Sequence, residues 1–168
     1  MSIDFNMDEF VTSLLEKGEA MVKACERGAG KAASALLNDT ITDFPQTPLD
    51  EGTLRGSGSV FVQNELTQTA PSTGGTPTPA TVGDETLTPD VVTAVVGFNT
   101  PYAAYQHEGQ RKDGSHMVKT YGAGKNKKKG IMGPTGTGKK FLEKKLFDNE
   151  DAYVAVVAAE VKRAMGGA

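Results

Sequence analysis

The longest regular pattern in the sequence is an apolar stripe with helical spacing over residues 6–44. Its members are Phe10, Leu14, Met21, Cys25, Ala32, Leu36, Leu37, Ile41 and Phe44. Asn6 and Glu9 have the spacing of a capping box at its start. Pro45 ends the pattern, because a proline disfavours the α conformation in the residue before it. The sequence therefore predicts one long N-terminal helix.

This helix is long for the size of the chain. At about 1.5 Å per residue it would extend about 55 Å if it were unbroken. Gly28 and Gly30 weaken its middle and are expected to break or bend it. Two interpretations stay open: a bent helix packed on its own sheet, or a helix of which part of the apolar stripe meets another subunit.

Two segments predict strands of one small, mainly antiparallel sheet. Residues 59–68 (SVFVQNELTQ) are β-branched and aromatic, with Val60 and Val62 on one face. Residues 91–98 (VVTAVVGF) are apolar enough to be buried on both faces. The stretch between them, about 69–90, is rich in Thr, Pro and Gly and predicts an extended hairpin arm. A connection of this length in a compact fold usually has a binding or assembly role.

The C-terminal third predicts helices separated by polar loop. Residues 100–109 predict a short helix or turn, and 139–149 and 150–167 predict two C-terminal helices. The buried stripe expected on the last helix is Val154, Val157, Ala158 and Val161. The predicted fold class is α+β in a single domain over residues 1–168, with 69–90 and 110–138 as extended arms or loops.

Composition indicates the compartment of the protein more clearly than its function. The 20 glycines and 8 prolines predict long irregular stretches, and the net charge of −3 excludes no class of partner. With Cys25 as its single cysteine the chain can form no internal disulfide, and Cys25 is expected to be a small core side chain. The sequence shows neither a signal peptide nor an apolar run long enough for a bilayer. We therefore expect a reducing, aqueous compartment and no membrane partner.

A near match to a phosphate-binding loop occurs at residues 133–140, GPTGTGKK. The motif G-x-x-x-x-G-K-[ST] needs a hydroxyl for Mg²⁺ at the position where this chain has Lys140. The preceding GAGKNKKKGIM leaves no room for a buried parallel strand, and no later apolar run ends in the second metal-binding Asp. We expect no nucleotide hydrolysis, and a P-loop enzyme stays a remote alternative.

The two histidines, His107 and His116, have Glu108 and Asp113 between them. A zinc site would need a third or fourth ligand with a recognisable spacing. His107 and Glu108 are adjacent, and adjacent side chains on a helix or strand face different ways. We therefore expect structural or interface roles for the histidines. The sequence predicts no catalytic residue, no metal and no cofactor.

A lysine-rich segment follows, within which the sequence has no acid. Its predicted contact residues are Lys119, Lys125, Lys127, Lys128, Lys129, Lys139 and Lys140. Lysines on a glycine-rich loop can bind a phosphate backbone without reading its sequence. A solvated loop, or a contact with an acidic partner surface, explains the same pattern. Because the first 51 residues are rich in acids, head-to-tail self-association around a ring is also expected.

Three further segments together resemble one family. They are TPLDEGTLRGSGSV (47–60), VVGFNTPYAAYQHEG (95–109) and GPTGTGKKFLEKKL (133–146). Their order after a long N-terminal helix resembles the tailed-phage minor capsid and tail-completion proteins of the head–tail connector, or neck. His107-Glu108-Gly109 departs from the family's usual E-F-G, and the arm at 69–90 is long for the family. The residues that carry the resemblance are Asp50, Gly52, Leu54, Arg55, Tyr102, Tyr105, Glu108, Gly109, Phe141 and Leu142.

The resemblance implies a virion protein without catalytic activity, assembled in the host cytoplasm. Such proteins form rings, commonly hexameric, that join head to tail or terminate the tail tube. The implied partners are other copies, other neck and tail proteins, and the DNA that passes through the channel. Tyr102, Tyr105 and Phe141 are expected to anchor the core, and Arg55 to pair with a carboxylate such as Asp50. The alternative is a minor capsid or DNA-binding accessory protein that uses the lysine-rich loop 119–140.

Overall fold

The computed structural model describes residues 7–43, 45–47, 53–70, 91–109, 119–121, 128–130 and 140–166. The helices are α1 (Met7–Thr42), α2 (Thr53–Gly56), α3 (Ala103–Glu108), α4 (Phe141–Asp148) and α5 (Glu150–Ala164). The strands are β1 (Gly58–Val62), β2 (Glu65–Thr69), β3 (Ala94–Phe98), β4 (Lys119–Tyr121) and β5 (Lys128–Gly130). The predicted α+β class is confirmed, with a long N-terminal helix, an antiparallel three-stranded sheet and two C-terminal helices.

Helix α1 runs without a break through both glycines, so the first of the two predicted effects of Gly28 and Gly30, a break, does not occur. The glycines instead allow close packing. A Cβ on Gly28 would lie 2.8 Å from the Cα of Val157 in α5, and one on Gly30 would lie 3.3 Å from a methyl group of Val62. Tertiary contacts on both sides of α1 therefore offset the cost of about 1 kcal/mol for each helical glycine.

The segment 59–68 is a β-hairpin, and its prediction as one strand is wrong. β1 turns at Gln63-Asn64, whose φ angles are 49° and 67°, and returns as β2. Two positive φ angles define the turn type that matches the twist of paired strands, and Asn is among the residues that tolerate it. Gln63 also accepts a hydrogen bond through its side-chain oxygen from the N–H of Thr93, which fixes the start of β3.

The order of the main sheet is β2-β1-β3, with both neighbours antiparallel to β1. In the described part of the chain β2 and β3 do not pair with each other, so the connection 71–90 joins the two edges of the sheet. The two predicted strands lie in one antiparallel sheet, as expected, because β1 pairs with β3. Of the predicted arm, Thr69 ends β2, Ala70 follows it, and residues 71–90 lie outside the described residues. β3 is half-buried along its length rather than buried on both faces, because it is an edge strand.

The core lies on both sides of the second half of α1. On one side Ala33 and Leu37 pack with Val60 and Ala70 of the sheet region. On the other side Ala32 and Leu36 pack with Tyr153 of α5. α5 runs antiparallel to α1, since Tyr153 contacts Asp39 whereas Glu160 contacts Lys31.

The buried face of α5 differs from the prediction. Tyr153 and Glu160 are buried, whereas Val157 and Val161, which were predicted to be buried, are half-buried. Val154 and Ala158 are exposed, so their predicted burial is wrong. The crossing of α5 over Gly28 turns the face with Tyr153, Val157 and Glu160 towards α1, and this face overlaps the predicted stripe only in part. Cys25 is half-buried rather than in the core.

Candidate assembly surfaces

The second and third resemblance segments meet at Phe141, the first residue of α4. Its ring is 1% exposed and makes edge-to-face contacts with Phe98 at 5.5 Å and His107 at 4.9 Å between ring centroids. Leu142, next to it, packs against the cluster around Tyr153. The expected anchoring role of Phe141 is therefore confirmed.

The tyrosines of the second segment do not share this role. Tyr102 is 39% exposed, so its prediction as a core anchor is wrong, and Tyr105 is half-buried. α3 has only six residues and buries the small Ala103 instead. Gly109 ends α3 with φ of 66°, and its N–H donates to the carbonyls of Tyr105 and Gln106. A side chain at this conformation would be strained, which explains the glycine.

The first resemblance segment forms the approach to β1. Leu54 is buried in α2, and the Arg55 Nε donates to the Thr47 carbonyl oxygen at 2.8 Å. The second described partner of Arg55 is the Gln46 Oε1, at 3.1 Å. Arg55 thus holds the end of the α1–α2 connection through neutral oxygens. Asp50, its predicted partner, and Gly52 lie outside the described residues.

Four side chains fasten α3 to α4, and we call them the α3–α4 clasp: His107, Glu108, Lys140 and Glu143. The Lys140 ammonium lies 2.9 Å from Glu108 Oε1 and 2.6 Å from Glu143 Oε2. The backbone N–H of Lys140 donates to the His107 carbonyl at 2.6 Å. The clasp therefore joins the two ends of the segment 110–139.

His107 has a defined tautomer in the clasp. The backbone N–H of Glu143 can only donate, so His107 Nε2 accepts from it at 3.3 Å. His107 Nδ1 then carries the proton and donates to Glu108 Oε1 at 3.0 Å. The expectation that these two neighbours face apart is wrong, because the flexible Glu108 side chain reaches both His107 and Lys140.

The clasp also contains Glu143, a third residue that could act as a metal ligand beside His107 and Glu108, which the sequence spacing did not reveal. Ligand atoms of His107, Glu108 and Glu143 lie within 4.8 Å of one another. The Lys140 ammonium contacts both carboxylates, so the chain itself provides the compensating positive charge. Hydrogen bonds from Lys140 and then His107 lower the pKa of Glu108, and those to Glu143 and Glu108 raise the pKa of Lys140. The arrangement is that of an ion-paired fastening.

The predicted lysine contacts are divided by the structure. Lys140 is committed to the clasp and has φ of 57° at the start of α4. Lys119, Lys128 and Lys129 lie on β4 and β5, which pair with each other antiparallel. Lys125, Lys127 and Lys139 lie outside the described residues. In the described part of the chain, the strand before the phosphate-loop motif is thus antiparallel, unlike the parallel strand that a P-loop requires.

The N-terminal part of α1 exposes an apolar face, and we call residues 11–22 the arm. Every residue of the arm is exposed, whereas Ala24 is fully buried. The large apolar side chains on it are between 44% and 65% exposed: Val11, Leu14, Leu15, Met21 and Val22. Gly18 lies on the same face, and a Cβ there would have no described atom within 4 Å. Contacts within the described chain therefore do not account for this face.

A second apolar surface is a groove of about 390 Å³ between α1, β3 and α4. We call it the alanine groove, after its floor. Six of its lining residues are Ala29, Ala32, Ala33, Val95, Leu142 and Leu146. Tyr153 closes one side, and its hydroxyl donates to Asp39 Oδ2 at 2.7 Å. Burial and this hydrogen bond raise the pKa of Tyr153 to about 12.

A buried carboxylate marks the other side of the α1–α5 interface. Glu160 is 7% exposed and accepts hydrogen bonds from Lys31 at 2.6 Å and Arg163 at 2.7 Å. The Lys31 hydrogen bond is the main cause that lowers the pKa of Glu160. The predicted buried stripe of this helix did not include Glu160, and no local signal identifies its partner 129 residues away.

Comparisons with protein-family models, curated proteins and solved structures give no match to this chain. Among the described residues, none of the helices is long and apolar enough to cross a membrane.

Proposed function

We propose that this chain is a structural subunit of a tailed-phage neck, which joins head and tail or terminates the tail tube by forming a ring of identical copies. The observation that carries the proposal is the exposed apolar face of the arm. The arm leaves five large apolar side chains exposed within twelve helical residues. Full burial of one such side chain would stabilise the protein by about 1.5–3 kcal/mol. A partner that covers them would recover this free energy.

The resemblance segments support a structural role. The second and third segments form a buried aromatic contact at Phe141, the ion-paired clasp, and the cap of α3 at Gly109. Each interaction fixes the geometry of the chain, and we assign none of them to a reacting group. The subunit would act by assembly rather than by catalysis, as the resemblance implies.

The test is the mass of the protein in solution, measured by light scattering with and without ATP and magnesium. We expect a multiple of the 17.7 kDa chain mass that is indifferent to nucleotide, and closed rings by electron microscopy. Leu14→Glu with Leu15→Glu should give a folded monomer. Met165→Glu is the control, since Met165 is also exposed and apolar but lies at the end of α5.

Other outcomes would reject the proposal in favour of a named alternative. A monomer whose stability rises with ATP, and loses that response in Lys139→Ala, would favour nucleotide binding. A monomer that binds DNA with an affinity falling steeply with salt would favour the DNA-binding accessory role. A monomer with neither property, which does not assemble on added tail proteins, would also contradict a connector subunit.

A further inference from the structure

We infer that the alanine groove receives the arm of a second copy, so that copies join head to tail. This inference rests on the proposed function and names the two surfaces through which the ring would assemble. The groove and the arm are separate surfaces of one chain, one on its body and the other on the N-terminal part of α1. The inference follows from the chemistry of both surfaces and from the path of α1.

The two surfaces are complementary in size and polarity. The groove has a floor of small alanine side chains, and its one described hydroxyl, on Tyr153, is already bonded to Asp39. The arm presents Leu14, Leu15 and Met21 as large apolar side chains. Gly18, between them, would let another backbone approach the arm closely, as Gly28 does for α5 within the chain. Large side chains on the arm would therefore fill space above small ones in the groove.

The arm cannot occupy the groove of its own chain. The groove floor at Ala29 and the arm up to Val22 belong to the same continuous helix. They are about 10 Å apart along a single axis, and a helix would have to unfold to turn back on itself. An arm in the groove must therefore come from another copy.

Pairing of two arms is the main competing arrangement, and its extent disfavours it. The stripe from Val11 to Cys25 spans two heptads, whereas coiled-coil pairing is typical of at least three or four. Docking on the body adds surface from α4 and β3 to the contact.

Charge favours the same arrangement. The first 22 residues of the sequence contain five acids and one lysine, a net charge of −4. Residues 140–148, which form one wall of the groove, contain three lysines and two acids, a net charge of +1. Lys140 and Lys144 in this wall already pair with Glu108, Glu143 and Asp148. An acidic N-terminal stretch would thus approach a wall without net negative charge, which avoids like-charge repulsion on docking.

Head-to-tail contacts have a consequence for assembly. Each copy would give its arm to one neighbour and its groove to the other, which is a heterologous interface. Such an interface generates a closed ring if its rotation closes, and a filament if it does not. The inference therefore predicts a single repeated contact, with no two-fold axis between neighbours.

The decisive experiment mixes two defective variants, Leu15→Glu in the arm and Leu146→Glu in the groove wall. Each should be monomeric alone, by sedimentation velocity. The mixture should form a dimer of one copy of each, because the intact arm of Leu146→Glu fits the intact groove of Leu15→Glu. Phe147→Glu is the matched control, since this exposed neighbour of Leu146 does not line the groove and should leave the rings intact.

Cysteine pairing locates the contact directly in a Cys25→Ala background. A mixture of Leu15→Cys with Leu146→Cys should form a disulfide-linked dimer under mild oxidation. Leu15→Cys alone should form far less dimer than the mixture. The circular dichroism spectrum of every variant must match that of the wild type, and the two monomeric variants must unfold cooperatively, so that loss of assembly is not loss of fold.

The outcomes separate the inference from the proposed function. If Leu146→Glu still formed rings, the groove assignment would be overturned but the connector proposal would stand. The same holds if the mixture formed no dimer and no mixed disulfide. Efficient disulfide dimers of Leu15→Cys alone would show arm-to-arm pairing instead. A wild-type chain that never self-associates would instead refute the proposed function, on which the inference rests.

Discussion

Val157 of α5 crosses α1 directly over Gly28, so closely that a methyl group on Gly28 would lie 2.8 Å from the Val157 Cα. The neighbour is backbone, which cannot move aside as a flexible side chain can. Gly28 is therefore required by the α1–α5 interface. Gly18 lies in the same helix, but no described atom comes within 4 Å of its Cβ position.

Gly28→Ala should lower the free energy of unfolding by about 1–3 kcal/mol, because the added methyl forces the two helices apart. Gly18→Ala should not lower it, since Ala has a higher helix propensity by about 1 kcal/mol and the space is open. Urea denaturation of both variants in the monomeric Leu15→Glu background measures the difference. Equal effects at the two positions would contradict the crossing described here.

The β1–β2 turn predicts a second pair of variants. Asn64 has φ of 67°, where Asn is tolerated and Ala is strained. Asn64→Ala should cost about 1 kcal/mol of unfolding free energy, whereas Asn64→Gly should be neutral or stabilising. Chemical denaturation distinguishes them. If Ala were tolerated as well as Gly, the two-residue turn would be incorrect.

Tyr153 predicts a loss of stability at alkaline pH. Its pKa is raised by burial and by the hydrogen bond to Asp39, from 10.0 to about 12. Because the folded pKa lies above the unfolded value, its contribution is complete below about pH 10 and is lost as the pH rises towards 12. Tyr153→Phe should remove this alkaline component and lower the free energy of unfolding at neutral pH by about 1–2 kcal/mol. Denaturation curves from about pH 8 to pH 12 test both effects, and an unchanged alkaline limb would contradict the assignment.

Glu160 predicts the opposite dependence at acid pH. The Lys31 hydrogen bond lowers its pKa from the ordinary value of 4.5, so the ionised carboxylate stabilises the fold above that pH. That stability is lost as the pH falls through the lowered, folded pKa. Glu160→Gln should therefore destabilise the protein at neutral pH and flatten the acid limb of its stability curve. Glu19→Gln, an exposed position on the arm, should leave the acid limb steep; equal flattening by both changes would refute this role.

The clasp predicts that Lys140 contributes to thermal stability, whereas the lysines at 127, 128 and 129 do not. Lys140→Met should lower the melting temperature, because Glu108 and Glu143 then repel each other without the ammonium between them. Lys→Gln at 127, 128 and 129 together should leave the melting temperature nearly unchanged. Thermal unfolding by circular dichroism measures both. A triple variant as destabilised as Lys140→Met would mean that the lysine segment contributes to the fold as a whole.

Sequence patterns predicted those elements that are encoded by local contacts. The long helix, the short α3, α4 and α5 follow from apolar spacing of about 3.6 residues, which any chain must satisfy to bury one helical face. The hairpin at Gln63-Asn64 was also encoded locally, by an Asn between two β-branched and aromatic runs, but the prediction joined the two strands. The anchoring role of Phe141 was predicted correctly, and Tyr102 was not distinguished from it.

The sequence by itself thus determined the α+β class, the long helix at the N-terminus, the two helices at the C-terminus and the apolar face of the arm. Only the tertiary structure decided which faces meet: Val157 over Gly28, Tyr153 on Asp39, and Glu160 beside Lys31. It also joined His107 and Glu108 to Lys140 and Glu143, more than thirty residues later. The physical reason is that periodicity identifies a face to be buried, whereas its partner depends on the packing of distant segments, which no local pattern encodes.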